Sequence, residues 1–120
     1  GFEPGNHAST FGGNPVACAG ALVVLERVAN VDFLREVREK GEYFTKKLRA
    51  MDGISEVRGM GLMIGAKPEK STAAAIAGKC AENGLLILTA KDMLRLLPPL
   101  TITKAEADRG LAILSKVLAD

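Results

Sequence analysis

The sequence predicts an α+β fold, a small and mainly antiparallel sheet with helices packed on one face. Helical stripes and strand-length runs follow the order helix, helix, strand, strand, helix, strand, strand, helix. Helices laid on one face of a small antiparallel sheet are the natural packing for that order. The 120 residues, 48% of them hydrophobic, suffice for one modestly buried domain.

Residues 1–13 are rich in Gly, Pro and polar side chains and read as extended loop. Asn14 suits an N-cap and Pro15 a first helical position, so the first helix covers residues 15–27. That helix is apolar on every side, with Val16, Cys18, Leu22, Val24 and Leu25 all around it. Such a helix asks for cover on most faces, which points to a partner domain or subunit.

The second helix runs over residues 32–51, where Leu34, Val37, Gly41, Phe44, Leu48 and Met51 form one stripe. Its charged side reads as a solvated surface, and Asp52-Gly53 ends it. Strands are expected over 54–57 and 62–66, joined tightly around Gly59-Met60-Gly61. Ser71 or Thr72 caps a third helix carrying Ala73, Ile76, Ala77 and Cys80, and Gly84 stops it. The run 85–88 reads as a buried strand, and 93–97 as another halted by Pro98-Pro99. A capping box at Thr103 and Glu106 opens the last helix, whose stripe is Ala107, Leu111, Leu114 and Leu118.

Composition excludes several functions. Net charge is +2, aromatics are 4%, and no basic run occurs, which disfavours nucleic-acid binding. No apolar stretch approaches the ~20 residues that span a bilayer, so no membrane partner is expected. Cys18 and Cys80 are expected as two core thiols of a reducing cytoplasm, and no metal-ligand spacing is present. The chain begins without Met and with no signal-peptide pattern, as though entered mid-loop, so a piece of a larger protein is expected.

Two places could carry chemistry. Ser9 and Thr10 offer hydroxyls just before Gly12-Gly13 and a helix start, an arrangement suited to a phosphate or carboxylate. His7 has no triad context and reads as a hydrogen bonder anchoring the loop. Arg95 interrupts an apolar strand and must face away from Leu94 and Leu96. If that face lines a cleft, its planar fork suits a carboxylate; if it is solvent, Arg95 is an ordinary surface residue. Arg58 reads as structural. No lysine has the apolar surroundings that a Schiff-base lysine needs.

The run from Gly5 to Cys18, with Ser9-Thr10-Phe11-Gly12-Gly13-Asn14-Pro15 at its centre, resembles a signature of the class III pyridoxal-phosphate aminotransferases. Arg58-Gly59-Met60-Gly61-Leu62 and Leu94-Arg95-Leu96-Leu97-Pro98-Pro99 fit the same family, in order along the whole chain. Ala8 departs from it, where glycine is usual. The resemblance implies a loop (1–13) leading from a large domain into a C-terminal small domain (14–120) that includes its linking helix.

It implies pyridoxal 5'-phosphate as cofactor, with Thr10 reaching its phosphate across a homodimer. Ser9 would lie beside an amino-acid substrate, and Arg95 would hold the substrate α-carboxylate. No catalytic residue is expected in the chain itself, since the Schiff-base lysine would belong to the large domain, and the chain alone is expected to be inactive. The implied partners are that large domain and a second subunit. Other class III reactions, or a free-standing anion- or protein-binding module, remain open alternatives.

Overall fold

The computed structural model describes residues 3, 6 and 9–120. His7 and Ala8, both singled out above, lie outside the described residues. The chain divides into two compact units, Gly1–Leu34 and Arg35–Asp120.

The first unit holds α1 (Pro15–Val28). Asn14 caps it as expected, its side chain accepting from the Ala17 N–H at 3.0 Å, with Pro15 next in line. No residue of α1 is buried. Cys18 is therefore exposed, not a core thiol as its apolar setting suggested, whereas Cys80 is fully buried. Burial pushes the Cys80 thiol above its ordinary pKa.

α2 (Val31–Arg49) carries the chain into the second unit. There follow β1 (Ile54–Met60), β2 (Met63–Pro68), α3 (Ala73–Glu82), β3 (Leu88–Ala90), β4 (Met93–Leu96) and α4 (Lys104–Ala119). The sheet is antiparallel throughout, in the order β1-β2-β4-β3. Ile64, Ala66 and Leu94 point to one face and are buried, beneath helices that supply Phe44, Leu48, Ile76, Cys80, Leu111 and Leu114. Each fully buried aliphatic side chain contributes about 1.5–3 kcal/mol relative to exposure.

Three local expectations need correction. The strand expected at 85–88 is confined to Leu88–Ala90, and it is exposed. Its neighbour is the reason. Gly84 takes a left-handed φ of 83°, and the Leu85 N–H turns back to the Cys80 carbonyl at 2.8 Å, closing α3. Farther along, Leu88 pairs with Arg95, so residues 86 and 85 would meet Leu97 and Pro98, and proline has no N–H to continue a ladder. Leu86 is consequently 89% exposed. On α4 the last buried position is Val117, not Leu118. α2 ends at Arg49, so Met51 falls beyond it, and Leu34 and Met51 at the two ends of the expected stripe are only half-buried.

α2 meets the β1–β2 turn by backbone. A Cβ placed on Gly41 would lie 2.3 Å from the Gly61 carbonyl oxygen, closer than any real contact. Gly41→Ala is expected to cost at least about 1–3 kcal/mol, because backbone, not a flexible side chain, must yield. A denaturant midpoint unchanged by that substitution would show that the close approach is unimportant.

The capping box at the start of α4 forms as expected. Thr103 Oγ1 accepts from the Glu106 N–H at 3.3 Å, and Glu106 Oε2 accepts from the Thr103 N–H at 2.8 Å. Hydrogen bonds from Thr103 hold the Glu106 carboxyl below its ordinary value of 4.5. A depressed carboxyl stabilises the fold above its ordinary pKa, and that contribution is lost as pH falls through the folded-state value. Thr103→Ala should cost about 1 kcal/mol at neutral pH. The gap between the two proteins should narrow on acidification below the ordinary carboxylate range, read from melting curves along a pH series.

Candidate functional site

The sheet has a second face, and the register assigns its residues. Arg58 pairs with Gly65, Gly65 with Arg95, and Arg95 with Leu88, so these four form one row across all four strands. Arg95 therefore points away from the core, as the alternation with Leu94 required. It is exposed, whereas Leu94 on the core face is completely buried.

Cations on this face are mostly paired. Lys67 Nζ stands 2.7 Å from Asp92 Oδ2, and that hydrogen bond lowers the Asp92 pKa and raises that of Lys67. Arg58 Nε lies 3.5 Å from Glu56 Oε1, both side chains largely exposed, a weak pair. Arg95 has no ion-pair partner among the described residues. It borders a cavity of about 420 Å³ at the β3 edge, whose other walls come from the flanking loops (Leu85, Leu97, Pro98) and from the helical layer (Phe44, Leu111, Leu114). Glu106, the other ionisable group there, is committed to the capping box. A guanidinium with no ion-pair partner among the described residues, bordering a largely apolar cavity, suits a carboxylate carried on a compact body.

Ser9 and Thr10 lie in the first unit, and both are exposed. The loop folds tightly after them. A Cβ on Gly12 would stand 3.0 Å from Ser9 Cβ and 3.1 Å from Ser9 Oγ, so glycine leaves the hydroxyl its room, and Gly13 follows with φ of 75°. The Ala17 N–H at the helix start is already taken by Asn14. The donors left open at this end are therefore the hydroxyls more than the first-turn N–H groups. The donor set fits a phosphate at Thr10, since two exposed hydroxyls precede a glycine-relieved turn with nothing acidic adjacent in sequence. Ser9 and Thr10 belong to one unit and Arg95 to the other.

Sequence reasoning passed over Gly65 and Met93, and read Arg58 as merely structural. Their relation to Arg95 depends on which strand pairs with which. Among the described residues no group of His, Cys, Asp and Glu could hold a metal ion, and no helix is long and apolar enough to cross a membrane.

The antiparallel sheet with helices over one face and an arginine on the other defines a compact α+β unit. The chain matches the family Aminotransferase class-III over residues 1–118 and belongs to that family. It is 44% identical to an acetylornithine aminotransferase of Caldanaerobacter subterraneus over 99% of its own length and 32% of that protein. It is 42% identical to an ornithine aminotransferase of Bordetella pertussis, covering 98% of the chain and 30% of that protein. Among solved structures, the N-acetylornithine aminotransferase of Stenotrophomonas maltophilia superposes with a TM-score of 0.81 at 36% identity, covering 89% of this chain and 32% of that one. The chain spans about a third of the length of the curated relatives it matches.

Proposed function

We propose that these residues form the C-terminal small domain of a pyridoxal-phosphate-dependent aminotransferase. In this reading the protein transfers an amino group between N-acetylornithine and 2-oxoglutarate, in arginine biosynthesis in the cytoplasm. One observation carries it: Arg95 is held outward by the sheet register, has no ion-pair partner among the described residues, and borders a largely apolar cavity. Its two-pronged donor geometry matches the α-carboxylate that both substrates share.

Ser9 lines the substrate region, and the Thr10 hydroxyl donates to the phosphate of the cofactor bound in the second subunit of a homodimer. When bound, the cofactor supplies the electron sink for amino transfer. The large domain completes the centre with its lysine, so this chain alone is inactive. The exposed apolar surface of α1 supports the expectation of a covering partner. The acetylornithine relatives support the acetylated substrate. The relative named an ornithine aminotransferase favours ornithine as a second reading, because Arg95 would clasp either α-carboxylate alike.

Two substitutions in the full-length protein test these roles. Arg95→Lys should raise KM for amino donor and oxo-acid acceptor roughly tenfold to a hundredfold, since the bidentate pair loses about 1.5–3 kcal/mol. Unchanged KM values would remove Arg95 from the substrate site. Thr10→Val should weaken cofactor retention on dialysis while leaving the fold intact, and full retention would overturn its assignment. Comparing N-acetylornithine, ornithine and 4-aminobutyrate as donors decides among the substrate readings.

A further inference from the structure

Met93 is out of place on the open face. It stands two residues before Arg95 on β4 and shares its side of the sheet, yet it is only 5% exposed. Two neighbours account for this. Gly65 lies beneath it, where an added Cβ would come within 3.2 Å of Met93 Cε and 3.3 Å of Sδ. Arg58 lies against it, its Nε–H donating to Met93 Sδ at 2.9 Å. The thioether thus fills the gap that glycine leaves in the cation row, and a guanidinium holds it there.

The filled gap has consequences for Arg95. Gly65 is the direct cross-strand neighbour of both Arg58 and Arg95, so without Met93 the Arg95 side chain would be free to fold across it toward β1. With that space occupied, the direction left is toward the β3 edge, where Leu88 pairs with Arg95 and where Arg95 lines the cavity. Charge acts in the same sense. The two arginine Cα atoms stand two strand spacings apart, roughly 9–10 Å. Like charges on one face at that distance repel, and the Arg58 guanidinium is held on the Met93 side.

We propose that Met93, pinned over Gly65 by Arg58, is a positioning residue that turns Arg95 toward the β3 edge, where it borders the cavity. This rests on the reading of Arg95 as the substrate-carboxylate clamp. Met93 need not touch the substrate; its effect is to limit the directions open to the guanidinium before the carboxylate arrives.

The test uses the full-length enzyme with Met93→Ala, Met93→Leu, Arg58→Gln and Arg95→Lys side by side. Met93→Ala should raise KM for both carboxylate substrates on the order of fivefold to twentyfold while kcat changes by less than about twofold. Affinity for glutarate, a carboxylate that cannot react, should fall by a similar factor in calorimetry. Met93→Leu, which keeps the volume, should restore most of both, and Arg58→Gln should shift both in the same direction as Met93→Ala. Should Met93→Ala prove unstable, the Leu and Gln variants decide alone. If they are respectively harmless and harmful to KM, the proposal stands; if Arg58→Gln leaves KM and glutarate affinity unchanged, it falls. A loss confined to kcat, or unchanged values in Met93→Ala where Arg95→Lys is impaired, would reduce Met93 to filler and leave the clamp intact. Unchanged values in Arg95→Lys would overturn both.

Discussion

Burial of Leu94 governs the rest of the second unit. Its side chain is wholly excluded from solvent on the helix-covered face, and it sits in register with Ala66, also fully buried. Side chains alternate along a strand, so fixing Leu94 inward sends Met93 and Arg95 outward together. A slip of one residue between β2 and β4 would bury a guanidinium and expose a leucine, and neither exchange is tolerable. The position of the arginine is thus decided by the aliphatic residue beside it. What Arg95 faces is then set by its partners in the row, one of them a glycine.

Much of this was legible from the residues. The caps at Asn14, Thr72 and Thr103 and the apolar stripes of α2, α3 and α4 emerged because helix signals are local. The run at 85–88 misled for the opposite reason. Its apolar content is genuine, but the backbone is claimed by the cap of α3 on one side and denied a donor by Pro98 on the other. Alternation gave the direction of Arg95 relative to Leu94 but not the nature of the face it meets. That depends on strand order, and no spacing in the sequence reveals that Gly65 stands between Arg58 and Arg95. Cys18 shows the same limit, because an apolar helix states a need for cover and not where the cover comes from.

The open face is uneven in a consistent way. Met60, Met63 and Leu88 are well exposed at strand ends, as is Leu86 in the connection before β3. Charged residues are interspersed, and Lys67 with Asp92 forms the tightest ion pair there. Apolar side chains gathered on a sheet face, beside a cavity with apolar walls, mark a surface built to meet something else. Membership of the class III aminotransferases, in relatives about three times as long as this chain, agrees with that reading.

The unpaired state of Arg95 gains its meaning from that surface. While the face is open to water, a lone guanidinium is well solvated and the absence of a partner costs little. Once the face is covered, the surroundings become less polar and each charge interaction grows stronger. A buried guanidinium without a partner would then be strongly destabilising, whereas one meeting a carboxylate in its fork would be compensated. Under the proposed role of Arg95, covering this face and the arrival of an anion would be coupled. In that reading, an arginine left without a partner by its own unit, bordering an apolar cavity and biased toward the β3 edge by a pinned methionine, would make a covered state depend on a carboxylate being present.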